Sequence, residues 1–442
     1  MRYLILIPFI LSLNLNSQSI ESVTINDIKE SNISIPMPKI KEWTVAIYMN
    51  GRSNIEPFAF KDFNRFETVG SNEEVNILVE IGRAKGFKDS NPDWQGVRRY
   101  YVKKDDNPDN INSDLIEDLG NIDMGNWKNA ADFLKWVKEN YPAKKIMFII
   151  WDHGWGWIDP VKENQNLITK SISHDFVTGN YIKTTELPLI FKSAGGVDVY
   201  ASMACFMQMA EVAYGIKDYA NVIIGSEEVI QLPSFNWEDF FALLEKNPSA
   251  SADKVGIYMV DTFKEMYSRP QYYNDLIASK YGTQLSAIRG NRLDKFAQVI
   301  KKISAILSNY KDVEAISKAK KEVLRFEVGD ENTDPDKLIS FYGDIYNFCE
   351  LVEKYSKDSE EKKKFAELTR ELKNLIDREL VIKNVYLSKD RTGKDYSNTH
   401  GIAMHIPGKK GNLINYYPTY NELAFEKATL WSMSIKYLET IE

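Results

Sequence analysis

A chain of 442 residues that is 43% hydrophobic and 12% aromatic can bury one large core or two moderate ones, which excludes a disordered protein. Its 56 Lys and Arg stand against 63 Asp and Glu, a formal charge of −7 with no long basic run, so nucleic acid is excluded as an expected partner. Two cysteines, Cys205 and Cys349, are too few for a disulfide-stapled scaffold or a cysteine-based zinc site.

The chain opens on "MRYLILIPFILSLNLNSQS": one basic residue, an apolar run from Tyr3 to Leu13, then small polar residues. This is the pattern of a signal peptide, expected over 1–18 with cleavage near Asn16 to Ser19. The run is shorter than the roughly 20 apolar residues that span a bilayer, so no stable membrane insertion is expected once it is removed. An exported protein follows, periplasmic, cell-surface or secreted. Residues 19–40 read as a linker.

From Lys41 onward, apolar strand-like runs alternate with helical patterns. The strands are expected at 43–50, 75–81, 97–102, 146–151, 197–204 and 221–226. Several are apolar on consecutive residues, which suits strands covered on both faces. Between them, Ala130, Phe133, Leu134 and Val137 repeat at spacings of three and four, predicting an amphipathic helix over 129–140 that stops before Pro142. Residues 41–245 thus read as an α/β domain with a doubly wound sheet. Residues 246–442 have a different texture: long helical patterns at 253–269, 291–310 and 359–380, with one late strand near 401–407. The Lys and Glu runs near 359–374 read as solvated helix faces.

Catalysis is expected where the strands end. His153 follows "IMFIIW" and Cys205 follows "VDVYASMA". In open α/β sheets, ligands bind beyond the carboxyl ends of the strands. If "FMQMAEVAYG" opens a helix, its dipole would also favour a thiolate at Cys205. A cysteine and a histidine brought together there supply a nucleophile and a proton carrier. Gly154 has no Cβ to obstruct a substrate carbonyl, so its N–H and that of Cys205 could form an oxyanion hole. Two plainer readings stand beside this one: Cys205 as a core residue or a disulfide partner of Cys349, and His153 as a packed histidine.

Cys349 shares an apolar helix face with Ile345, Phe348 and Val352 and reads as core. His174, His400 and His405 show no metal-ligand spacing, and no metal site is expected from them. No GxSxG, P-loop or dinucleotide fingerprint occurs. The acidic loops 105–110 and 329–336 lack EF-hand spacing and leave weak calcium binding as the one open cofactor question, with none required.

The order of motifs resembles the clostripain family of cysteine peptidases, relatives of caspases, gingipains and legumains. The segments that carry the resemblance are "WTVAIYMNG", "NYPAKKIMFIIWDHGWGW", "SHDFVTGNYIKTTEL", "VDVYASMACFMQMAEVAYGIKDYANVIIGSEE", "FYGDIYNFCELV" and "HGIAMHIP". Together they run over roughly 41–436. The resemblance implies a caspase-like αβα sandwich with a mostly parallel central sheet, extended by a largely helical C-terminal region. It also implies Cys205 as nucleophile, His153 as general acid/base, and Gly154 as an oxyanion donor. Protein or peptide substrates and a monomeric state are expected.

Two departures bear on specificity. The resemblance implies an aspartate two residues before the nucleophile to hold a basic P1 side chain, and here that position is Met203, which cannot pair with a cation. An apolar or polarizable P1 residue suits it better, unless Glu227 or Glu228 supplies acidity from a neighbouring strand end. Trp155 stands where the family pattern has glycine, and it would either line the cleft or cover the sheet edge. Family members are often activated by cleavage between the two catalytic strands, and Lys170 is the nearest match to such a processing site. A catalytically inactive, peptidase-like binding protein is the alternative, against which the retention of both His153 and Cys205 argues.

Overall fold

The computed structural model describes residues 40–86, 93–158, 172–272, 274, 282–328, 339–387, 389, 394–408 and 417–441. The expected signal peptide, the linker up to residue 39, Lys170 and the acidic loop 329–336 lie outside them. Residues 40–442 group as one compact unit.

Nine strands form the central sheet. In chain order they are β1 (Lys41–Gly51), β2 (Val75–Arg83), β3 (Gly96–Tyr101), β4 (Asp114–Gly120) and β5 (Ala143–Trp151). After a two-stranded ribbon of β6 (Ile172–Asp175) and β7 (Asn180–Ile182) come β8 (Val197–Met203), β9 (Ala220–Gly225) and β10 (Thr283–Arg289). β11 (Arg325–Val328) and β12 (Ile339–Asp344) leave the sheet, β13 (Val381–Leu387) rejoins it, and β14 (Ala403–His405) closes the series. The order across the sheet is β13-β10-β9-β8-β5-β1-β2-β3-β4, with the five strands from β9 to β2 parallel. The outer strands β10, β13, β3 and β4 each pair antiparallel. All six strands expected between residues 43 and 226 lie in this sheet, and two more, β10 and β13, come from beyond residue 246.

The consecutive apolar runs are buried on both faces, as their composition requires. Along β1 and β5, Ala46, Tyr48, Ile146, Phe148 and Ile150 enter one core, while Val45, Ile47, Met147, Ile149 and Trp151 enter the other. Truncating one of these fully buried rings, such as Phe148→Ala, would cost about 3–5 kcal/mol in lost burial and cavity formation. Helices α1 (Glu56–Glu67), α2 (Trp127–Asn140), α3 (Leu187–Ala194), α4 (Ala210–Ile216), α5 (Trp237–Lys246) and α6 (Ala252–Ser268) flank the sheet. α1, α5 and α6 send Phe63, Phe66, Trp237, Phe240, Met259 and Phe263 into the second core, and α2 and α3 send Phe133, Leu134, Ile190 and Phe191 into the first. This is the layered α/β sandwich that the sequence predicts. α2 starts where Asn126 caps it, its side chain accepting from the Lys128 N–H at 3.1 Å.

The late strand β14 pairs antiparallel with β12, in a three-stranded sheet with β11, and not with the central sheet. The helical patterns of the C-terminal half appear as α6, Leu293–Leu307 and Glu360–Leu375. No helix among the described residues is long and apolar enough to cross a membrane.

Candidate active site

Parallel pairing of β5 with β8 sets Trp151 opposite Met203, so the chain leaves both strands at one edge of the sheet. The Asp152 N–H still donates to the Met203 carbonyl at 3.2 Å. His153 and Cys205 each follow two residues after the paired ends. Their loops then touch through glycine: a Cβ on Gly154 would stand 2.5 Å from the Cys205 carbonyl oxygen, 2.8 Å from the Ala204 Cβ and 3.0 Å from the Cys205 nitrogen. The backbone beside His153 lies directly on the backbone of Cys205, a packing that only glycine admits.

Cys205 is partly exposed and is not in a disulfide. It sits in a turn and not at a helix start, because α4 begins only at Ala210; the helix dipole expected at the thiol is absent. The turn is shaped by Phe206, at φ +60°, whose N–H donates to the Glu228 carbonyl at 3.2 Å. Two residues on, the Gln208 N–H donates to the Ser226 carbonyl at 3.0 Å. The segment after β9 therefore holds the turn in place.

His153 is partly exposed. Its Nε2 lies 2.8 Å from Oδ1 of Asn54, in the turn after β1. The Phe176 ring stacks nearly parallel to the imidazole, 5.9 Å between centroids at 14°. A buried ion pair knits together the segments carrying these two neighbours: Arg52 Nε donates to Asp175 Oδ2 at 2.9 Å, and the Phe176 N–H donates to the Arg52 carbonyl at 2.9 Å. Asn50 adds a second link, its amide donating to Asp152 and to Ser173 Oγ, both at 3.3 Å. Asn54 and Arg52 are marked by no periodicity or motif; Asp175 and Phe176 lie in the segment "SHDFVTGNYIKTTEL", but sequence reasoning gives neither a role at the site.

Met203 is buried in the second core with Trp151 and Ile230. Trp155, partly buried, meets the Phe206 ring edge-on at 6.0 Å, and its carbonyl accepts from Tyr342 Oη at 2.7 Å. Glu227 and Glu228 are fully buried. Glu228 accepts from Tyr396 Oη at 2.5 Å and from the Val229 N–H at 2.7 Å; Glu227 accepts from the Gly401 N–H at 3.2 Å. Burial, and then the charge of Asp344, push the Glu227 carboxyl well above the usual range. These two glutamates tie the turn's support to the C-terminal segment.

The remaining histidines are dispersed. His174 lies in β6 and not in a loop, with Phe176 and Tyr181 edge-on to its ring at 4.8 and 5.7 Å. His400 stacks on Tyr346 at 3.7 Å and meets Asp344 through Nδ1 at 3.1 Å; burial opposes its charge, but Asp344 outweighs that and raises its pKa. Burial, with the nearby charge of Arg325, pushes His405 down to about 3, so it stays neutral. Cys349 is buried in the helix Ile345–Tyr355 as expected, and burial followed by Asp344, Glu350 and Glu353 raises its thiol far above the ordinary range. Among the described residues no group of three or more His, Cys, Asp or Glu could hold a metal ion.

The profile of the clostripain family matches residues 47–438. Clostripain of Hathewaya histolytica is 19% identical, aligned over 96% of this chain and 82% of its own length. Among solved structures, an inactive zymogen C11 protease from Parabacteroides distasonis superimposes with a TM-score of 0.64 at 17% identity, covering 89% of this chain and 99% of that one. A secreted C11 cysteine protease from Bacteroides thetaiotaomicron, in complex with an irreversible peptide inhibitor, gives 0.65 at 18% identity over 88% and 99%. With nearly the whole described chain inside the family profile and the layered sheet shared with its solved members, the protein belongs to the clostripain family and is a cysteine-type peptidase.

Proposed function

We propose that the protein is an exported endopeptidase in which Cys205 attacks the scissile carbonyl and His153 moves the protons. The observation that supports this most is the seating of Gly154 on the Cys205 backbone, which keeps the two loops together. In the first half-reaction the Cys205 thiolate forms a C–S bond to the carbonyl carbon. The oxyanion is met by the N–H groups of Gly154 and Cys205. The C–N bond then breaks as imidazolium His153 gives its proton to the departing amine. In the second, His153 takes a proton from water, the oxygen attacks the thioester, and the C–S bond breaks to return the thiolate. Activity is greatest near neutral or mildly alkaline pH, where the thiolate forms while His153 still carries a proton to donate.

Peptide bonds as substrate accord with the peptide inhibitor bound by the Bacteroides relative. An apolar or polarizable P1 side chain is favoured because Met203 offers no carboxylate to pair with Arg or Lys. Trp155 adds an aromatic wall to the cleft. Processing at Lys170 belongs to the same reading, with the loss of the acidic pocket residue weighing against self-cleavage after lysine; no cofactor is required, and weak calcium binding is the one addition left to test. The protein acts as a monomer.

The test is cleavage of a P1-diverse peptide mixture by the chain from Ser17 onward and by its Cys205→Ala variant, read by mass spectrometry with and without calcium. Cuts that vanish in the variant and follow apolar residues are expected. Cuts after Arg or Lys would overturn the specificity, and cuts that survive in the variant would overturn the nucleophile. Intact mass of the active enzyme reports on Lys170.

A further inference from the structure

His153 is held from two sides, by Asn54 and by Phe176. Oδ1 of an asparagine only accepts hydrogen bonds, so the 2.8 Å contact is made by the ring form that carries a hydrogen on Nε2. Such a contact selects the Nε2–H form, in which Nδ1 is the ring atom open to accept and return a proton. The parallel Phe176 ring restricts rotation of the imidazole out of its plane. Behind both stands the Arg52–Asp175 pair, each residue no more than 1% exposed. Asp175 Oδ2 also accepts from the Met124 N–H, and Oδ1 from the N–H groups of Val177 and Thr178 at 2.9 and 3.2 Å. The backbone on either side of Phe176 is thereby fixed, and Asn54 follows Arg52 by two residues.

We propose that Asn54 is a positioning residue for His153, fixing its tautomer while Phe176 fixes its plane, with the buried Arg52–Asp175 pair as their common anchor. The proposal rests on the reading of Cys205 and His153 as the reacting pair. An Asn54 without this role would be an exposed polar residue of a surface turn, replaceable at no cost in activity.

The test compares Asn54→Ala and Asn54→Asp in the full chain, through kcat, KM and the pH profile of kcat/KM. Asn54 is exposed, so neither change removes packing, and both variants are expected to unfold at the wild-type denaturant midpoint. Asn54→Ala should lower kcat by roughly ten- to a hundredfold, a part of the roughly 10²–10⁴ that general acid–base catalysis supplies, with KM changed by less than about threefold. The alkaline limb of the profile, where the imidazolium is lost, should move in opposite directions. It rises in Asn54→Asp, where a carboxylate favours the charged ring, and falls in Asn54→Ala, where Nε2 loses its acceptor. The other ionisable groups on the surrounding elements, Arg52, Glu56, Asp152, His174, Asp175 and Cys205, are the same in both variants, so the opposite signs belong to position 54.

If His153→Ala and Cys205→Ala abolish cleavage while both Asn54 variants keep wild-type kcat and an unmoved alkaline limb, the positioning role is overturned and the Cys205–His153 pair stands. If His153→Ala or Cys205→Ala retains activity, the pair falls and this inference falls with it.

Discussion

Gly154 and Cys205 meet backbone to backbone: a methyl group on Gly154 would stand 2.5 Å from the Cys205 carbonyl oxygen, closer than real Cβ atoms come to backbone. Neither neighbour is a flexible side-chain tip, so Gly154→Ala must displace the His153 loop or the Cys205 turn. A displacement of about 1 Å at a reacting group costs on the order of a hundredfold in rate. Gly154→Ala should therefore lose about that factor in kcat while the far-UV spectrum stays that of the wild type. Steady-state kinetics on the purified variant decide it, and a rate within threefold of wild type would refute the argument.

The two thiols should separate cleanly under alkylation. Cys205 is partly exposed, while Cys349 is sealed in a helix face and its thiolate is opposed first by burial and then by three carboxylates. Brief iodoacetamide treatment of the native protein should modify Cys205 alone and stop cleavage, and both residues should react in denaturant. Peptide mapping reads the outcome; equal native labelling of the two would contradict it.

Stability should fall as the pH rises through neutrality. Burial pushes Glu211 up to about 7 and Glu80 up to about 7, against the Arg99 partner in the second case. An acid whose folded pKa is raised contributes stability that is fully present below its unfolded value and is lost as pH rises through the folded one. For each group that amounts to on the order of 3 kcal/mol between about pH 4.5 and pH 7. The wild-type urea midpoint should drop from pH 5 to pH 8, and Glu211→Gln should flatten the drop. A midpoint that climbs over this interval would be the opposite sign and would exclude the assignment.

Asp175→Ala should destabilise the protein by about 3–5 kcal/mol, because it leaves the guanidinium of Arg52 buried without its carboxylate. Asp175→Asn keeps an acceptor for the Val177 and Thr178 amides and should lose less. Denaturant titration of the two variants tests the order, which a purely packing role for Asp175 would not produce.

The parallel centre of the fold was legible because its strands are buried on both faces and so carry unbroken apolar runs, as "TVAIYM" and "IMFIIW" do. β4 escaped because an exposed edge strand, Asp114–Gly120, has no apolar period to read. β10 and β13 escaped because they are single strands set between long helices, and only the fold tells which sheet they join. At the site, sequence pointed to His153, Gly154 and Cys205 from their places at strand ends. Gly154 has a reason beyond the one expected: it clears space for the backbone of Cys205. Asn54 was invisible, and Phe176 was noticed only as part of a familiar segment, because what brings both to His153 is a tertiary ion pair between residues 52 and 175, which leaves no mark in local sequence.

The turn that carries Cys205 leans on residues 226–228, and these in turn are tied to Tyr396 and Gly401; Gln208 itself accepts from the Ala403 N–H at 3.2 Å. Almost two hundred residues separate the thiol from these last supports. During synthesis, the turn therefore cannot take its final shape until nearly the whole chain has emerged and its tail has docked. A chain that stops short of residue 403 carries the cysteine without the contacts that hold its turn in this shape.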